Sequence, residues 1–249
     1  MTRLSRRTML LLPLTAVLPA SANEPVDLLL VLAADVSRSV DHDKFELQRR
    51  GYATALADRR VLNAIASGAQ GSIAICFVEW SGLFSQKVVV GWTKVDGPKA
   101  AQEFGDRLLE SPRSFADRTS ISSGIDFAAA QFANAPFSSP RQKIDVSGDG
   151  TNNAGRDVTA ARDETIAQGI TINGLAILSD HPMPWNPAHT NPPGGLAKYY
   201  QDNVIGGPGA FVLVAKDFNS FGEALINKLV AEIAGNRPPA PLSLAWKGP

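Results

Sequence analysis

Five short apolar runs recur along the chain, and their continuity is the tightest constraint on what it can fold into. The first, Val26 to Ala34 (VDLLLVLAA), is interrupted only by Asp27. A strand with one wet face alternates apolar and polar side chains, so an unbroken run marks a strand covered on both faces of a parallel sheet. Ser72 to Val78, Lys143 to Val146, Ile170 to Leu178 and Ala210 to Ala215 repeat the pattern. Between them, Asp43 to Ala66, Pro98 to Leu109, Ser122 to Ala133, Thr159 to Gln168 and Phe218 to Ala234 read as helices. Gln86 to Val90 reads as a short edge strand, joined to its predecessor by the Ser81-Gly82 turn. Strand and helix therefore alternate. The expected fold is α/β: a doubly wound, mostly parallel sheet with one short antiparallel edge strand and helices on both faces. Such sheets carry their ligand sites at the carboxyl ends of the strands.

The chain has 249 residues, and 24 basic side chains balance 24 acidic ones. The balance is composite. Residues 1–22 read as a removable leader: Arg3, Arg6 and Arg7, then an apolar stretch from Met9 to Leu18, then Ala20-Ser21-Ala22. Ser5-Arg6-Arg7-Thr8-Met9-Leu10 also fits a twin-arginine export signal as well as an ordinary secretory one. Cleavage after Ala22 leaves 227 of 249 residues and 21 basic against 24 acidic groups, a balance of −3. The expectation is an exported protein, periplasmic or secreted. A mildly acidic domain has no field to draw a polyphosphate, so nucleic acid is excluded as the expected partner. No apolar run approaches the length of a membrane span. Cys76 is the single cysteine and lies within an apolar run, as a buried small hydrophobe would. Residues 23–235 then form one domain, and 236–249, with four prolines, form a flexible tail. The segment from Ser179 to Gly195 is too long and too rich in proline for a plain connection, and is expected to cover part of the ligand-bearing rim.

Chemistry concentrates where three of these strands end. Asp35-Val36-Ser37-Arg38-Ser39 sets a carboxylate and two hydroxyls at alternate positions, which share one face of an extended chain. Converging hard oxygens suit Mg²⁺, which takes about six oxygen ligands, some of them water. Arg118-Thr119-Ser120 opens a helix with hydroxyls, and Ser147-Gly148-Asp149-Gly150 follows the third apolar run with a lone carboxylate. These three pieces, in this order, resemble the von Willebrand factor A-type domain and its metal-ion-dependent adhesion site. The phrases DVSRSV, LQRRGYATAL, FVEWSG, DVSGDGTNNAG, ITINGLAI and YYQDNVIGGPGAF also resemble a bacterial family of exported A-type-domain proteins known only as a domain of unknown function. The resemblance implies a metal set of Asp35, Ser37, Ser39, Thr119 and Asp149. It implies Mg²⁺, with Mn²⁺ or Ca²⁺ as alternatives, and a protein partner that presents an Asp or Glu to the ion. Gly148 stands where the family pattern has Thr, which bears on the shape of the loop more than on metal binding.

Plainer readings compete at several positions. Ser39 or Asp41 serves equally as the cap of the following helix, with Asp43 and Glu46 as a capping box. Asp41 and Asp43 could flank the ion as an adjacent site, but helix-capping carboxylates explain them better. His42, His181 and His189 are expected in surface loops, a plainer reading than a second metal held by His181 and His189 with Asp180. Glu79, at the end of a strand, is expected as an edge carboxylate in water, with a stand-in for ligand or a general base as its functional readings. Asn152 and Asn153 are turn formers whose amides could bond Asp149 or a neighbouring loop. Ile205 to Gly209 is expected as a tight lead-in to the last strand. A serine hydrolase would need Gly-x-Ser-x-Gly, and Asp145 to Asp149 lacks both glycines; a phosphate loop is absent as well. A metal-dependent hydrolase or enzyme subunit, and a structural domain without metal, remain as alternatives to a binding module.

Overall fold

The computed structural model describes residues 23–179 and 186–235; the leader, the tail, Asp180 and His181 lie outside the described residues. In chain order the elements are β1 (Glu24–Pro25), β2 (Leu29–Asp35), α1 (His42–Ala57), α2 (Arg59–Ala66), β3 (Ile73–Trp80) and β4 (Gln86–Val95). There follow α3 (Pro98–Glu110), α4 (Ile121–Gln131), β5 (Phe137–Ser138), β6 (Gln142–Gly148) and α5 (Val158–Ala167). The chain then forms β7 (Thr171–Ile177), α6 (Pro187–Thr190), α7 (Leu196–Tyr199), β8 (Val212–Ala215) and α8 (Phe221–Ala234).

Six strands form the main sheet in the order β4-β3-β2-β6-β7-β8, all parallel except β4, which runs antiparallel to β3. The doubly wound sheet expected from the apolar runs is thus the one observed. Its two faces explain why β2 shows no polar alternation. Leu30, Leu32 and Ala34 pack with residues of α1, α2, α3 and α8, whereas Val31 and Ala33 pack with those of α4, α5 and α7. Every residue of β2 is buried. The chain winds outward from β2 to β3 and β4, then returns to β6 on the other side of β2 and winds outward the opposite way to β7 and β8. The reversal opens a crevice at the carboxyl ends of β2 and β6, the place where open α/β sheets bind ligands.

Four features depart from the sequence reading. The long first helix is two helices, because Asp58 adopts ψ 137°, ends α1 and caps α2 by accepting from the Arg60 amide at 2.8 Å. The edge strand β4 runs ten residues, to Val95, with register shifts opposite Phe77. The first apolar run yields β2 only from Leu29, and Glu24–Pro25 pairs separately with Phe137–Ser138. Asp41 alone caps α1, accepting from the Lys44 amide at 2.9 Å, while Ser39 bonds elsewhere and Asp43 lies inside the first turn. The lead-in to β8 is as expected, with Gly207 and Gly209 at positive φ.

Candidate functional site

The three sequence pieces meet at the crevice. Asp35 ends β2, Ala34 is paired with Ser147 of β6, and Asp149 follows β6 directly, so the register itself sets the two carboxylates side by side. Thr119 arrives from the segment before α4. Backbone hydrogen bonds stitch the loops into one rim: Arg38 N–H donates to Asp117 O at 2.9 Å, Asn153 N–H to Thr119 O at 2.9 Å, and Thr151 N–H to His189 O at 2.9 Å. The asparagine side chains do the same. Asn153 Oδ1 accepts from the Thr119 amide at 3.0 Å, and Asn152 Oδ1 from the Ser122 amide at 3.1 Å. Arg113 holds the first loop from below, donating to the carbonyls of Val36 (2.6 Å) and Ser37 (2.9 Å).

The five side chains form one connected set. Asp35 Oδ1 accepts from the Ser37 amide at 2.7 Å, Ser37 Oγ lies 3.1 Å from Ser39 Oγ, and Thr119 Oγ1 donates to Ser37 Oγ at 3.1 Å. Ser39 Oγ donates to Asp149 Oδ1 at 2.5 Å. Asp35, Ser37, Thr119 and Asp149 are buried and Ser39 is half-buried. Lys44 Nζ sits 3.6 Å from Asp149 Oδ2 and donates to Ser39 O at 2.8 Å. Two carboxylates out of water and close together oppose each other's ionisation. Burial, and then the Asp149 charge, push Asp35 up to about 8, and burial raises Asp149 as well.

Two further side chains complete the crevice, and two glycines admit them. Tyr200, fully buried, lies in a π-helical turn that follows α7. A Cβ on Gly148 would lie 2.6 Å from Tyr200 Oη and 3.0 Å from Asp35 Oδ2, so the missing side chain makes the space for the hydroxyl. A Cβ on Gly150 would lie 2.2 Å from His189 Nε2. His189 is 3% exposed, which corrects the expectation of a surface-loop histidine: the proline-rich segment folds α6 onto the rim and carries the ring inward. Its Nε2 is 3.2 Å from Thr119 Oγ1, its Nδ1 3.2 Å from Thr151 Oγ1, and burial holds it below the ordinary imidazole value against the pull of Asp149. Tyr200 lies in the phrase YYQDNVIGGPGAF, which carried the family resemblance but assigned it no role, and His189 belongs to the long segment expected to cover the rim.

Glu79 is also corrected. It is fully buried, accepts from Arg49 at 2.5 and 3.0 Å through Oε1 and from the Ser114 amide at 2.9 Å through Oε2, and so faces neither water nor the crevice. Cys76 is buried as expected, and burial pushes its thiol up to about 12.

The donor set has a chemical preference. Among the described residues no three His, Cys, Asp or Glu side chains gather as a metal-ligating group, so an ion here would need hydroxyl oxygens. Asp35 Oδ2, Asp149 Oδ2 and Tyr200 Oη are buried without a hydrogen-bond partner. Native proteins seldom leave such atoms unsatisfied, and one cation would satisfy both carboxylates and offset their charge. The residues present therefore fit a hard dication. Above them opens a pocket whose lining includes Arg38, Asp117, Arg118, Thr119, Asn153 and His189.

Comparison with known proteins agrees on the fold. Proximal thread matrix protein 1 from the mussel byssus superposes with a TM-score of 0.60 at 14% identity, over 86% of this chain and 50% of that one. A second structure of that protein, described as having a zinc-occupied MIDAS motif, gives 0.56 at 16%, over 85% and 49%. The pilus adhesin SpaC from Lactobacillus rhamnosus GG gives 0.57 at 15%, over 84% of this chain and 30% of that one. This chain thus spans half or less of the length of these proteins. No curated protein matches the sequence. The fold is that of the von Willebrand factor A-type domain, as the three-part motif implied. Residues 25–237 match the family model described as protein of unknown function (DUF1194), and the chain belongs to that family.

Proposed function

We propose that the protein is an exported, periplasmic binding module that uses a divalent cation to capture an acidic side chain of a protein partner. One observation carries the reading: Asp35 Oδ2, at the end of β2, and Asp149 Oδ2, just beyond the end of β6, are both buried without hydrogen-bond partners. Asp35, Ser37, Ser39, Thr119 and Asp149 would hold the ion. When bound, the ion supplies an electrophilic position, weakly neutralised by two carboxylates, that accepts a carboxylate from another molecule. The oxygen donors alone favour Mg²⁺, with Mn²⁺ or Ca²⁺ as alternatives. Arg38 and Arg118 line the pocket above together with Asp117, which lies 3.9 Å from Arg38, so the two arginines outnumber one acid there. The solved structures with this fold include a pilus adhesin and a thread matrix protein, one of them with metal at this kind of site, which supports adhesion rather than turnover. Export rests on residues 1–22, and no helix among the described residues is long and apolar enough to cross a membrane.

The hydrolase alternative relied on Glu79 as base, and both oxygens of Glu79 are engaged elsewhere. A metal-free structural domain keeps one observation in its favour, because Lys44 already places a positive charge 3.6 Å from Asp149 Oδ2. Calorimetric titration of the protein lacking residues 1–22 with Mg²⁺, beside an Asp35→Ala variant, separates the readings. The expected result is saturable binding lost in the variant. Equal heats in both would reject the site.

A further inference from the structure

The geometry points to a covalent staple in the interior: an amide between Lys228 Nζ of α8 and the Asp145 carboxyl of β6, formed with loss of water and with Glu232 as proton carrier. The inference is independent of the crevice and of any metal. Lys228, Asp145, Glu232 and Asn173 are all fully buried between α8 and the sheet. Lys228 Nζ lies 2.7 Å from Asp145 Oδ1 and 2.5 Å from Glu232 Oε1. The carboxyl carbon of Asp145 is one bond from that oxygen and so within about 4 Å of the nitrogen, close to the separation of about 3–3.5 Å from which an addition starts. Asn173 holds the third group in place. Its Oδ1 accepts from the Phe211 amide at 3.1 Å, and its Nδ2 donates to Glu232 Oε1 at 2.7 Å. The Phe211 ring closes the cluster, its centroid 5.5 Å from Lys228 Nζ.

Charge selects the reaction. Two carboxylates share one ammonium, and neither Asp145 Oδ2 nor Glu232 Oε2 has a hydrogen-bond partner. A dry cluster avoids net charge by taking up a proton, and burial raises the Asp145 carboxyl to about 7. Transfer of one ammonium proton to Glu232 then leaves an amine and two carboxylic acids, all neutral, which is the state a condensation needs. The Nζ lone pair adds to Asp145 Cγ; Glu232 gives its proton to the departing hydroxyl and recovers one from the nitrogen. One C–N bond forms, one C–O bond breaks and one water leaves, and no other reactant is consumed. The amide is uncharged, so the reaction removes two ions from the dry interior, and the same burial keeps water from reversing it. With Cys76 as its single cysteine the chain can form no internal disulfide, and the amide ties the last helix to the sheet instead.

Tandem mass spectrometry of a tryptic digest of the full chain tests this on the wild type alone. The expected product is a branched peptide joined through Asp145 and Lys228, lighter by one water than its two parts and uncut after Lys228. Glu232→Gln keeps both reacting side chains and, in folded protein, should lower the yield of that peptide about tenfold or more. Two separate peptides from the wild type, or a lost water that maps to Asp96-Gly97 or Asp149-Gly150 instead, would overturn the staple. An equal yield in Glu232→Gln would overturn the role of Glu232.

Discussion

Placing a methyl group on Gly148 probes the crevice at its tightest point. Gly148 has no positive φ, so Gly148→Ala carries no backbone penalty of its own and reports packing alone. The new Cβ would meet Tyr200 Oη at 2.6 Å and Asp35 Oδ2 at 3.0 Å, against an ordinary contact of about 3.5 Å or more. Both neighbours are fully buried, so neither can swing into solvent. Overpacking of this kind costs about 1–3 kcal/mol, and in a domain of this size each kcal/mol lowers Tm by about 2–4 °C. The expected loss is therefore about 2–12 °C by differential scanning calorimetry. Tyr200→Phe removes the nearest atom, which has no hydrogen-bond partner, and should be close to neutral alone and restore most of the loss in the double variant. Gly91→Ala is the control, because nothing lies within 4 Å of its Cβ. Gly148→Ala melting with the parent, or no rescue by Tyr200→Phe, would refute the placement of the hydroxyl.

With its carboxyl free, Asp145 is fully buried and shares the Lys228 ammonium with Glu232, and burial raises its pKa from 3.8 to about 7. A raised carboxyl contributes stability that is complete below about pH 4 and lost as pH rises through about 7. Urea unfolding of Asp145→Asn should thus lose less stability between pH 5 and 8 than the parent, with an upper bound of about 3 kcal/mol from this group over that window. Arg49→Met leaves Glu79 charged, buried and without its partner, and should cost about 3–5 kcal/mol in the same assay. Lys44→Met removes the ammonium beside Asp149 and should tighten divalent-cation binding about tenfold or more by calorimetry; unchanged affinity would mean that Lys44 does not compete. Cys76, buried with its thiol raised to about 12, should resist a thiol reagent in the native protein and react only on unfolding.

The fold was legible because its signal is local. An apolar run of β2's length needs two covers, and alternation with helices supplies them, so sheet, order of elements and site edge followed from the order of residues alone. The site was legible in part for a related reason. Asp35, Ser37 and Ser39 lie two residues apart on one strand end, and parallel register then carries Asp149 to the same edge. The helix break at Asp58 had a sequence signal too, since a side-chain cap can end one helix and begin the next, but the apolar pattern on either side concealed it.

Charge partners and segments without periodicity were not legible. Nothing near Glu79 in sequence announces Arg49, and a carboxylate at a strand end reads as wet until α1 is laid across it. His189 belongs to a stretch whose prolines suppress any pattern, Tyr200 to the π-helical turn after α7, and the burial of each depends on how its segment crosses the rim. Gly148 and Gly150 read as turn formers; only packing shows that each one's missing side chain is occupied by another residue's polar group. The sequence by itself determined the layered α/β architecture and the oxygen donors of the crevice, because periodicity and register act over neighbouring residues. The tertiary structure decided which groups surround those donors, Lys44, Tyr200 and His189 among them, because burial and close approach are set by segments far apart along the chain.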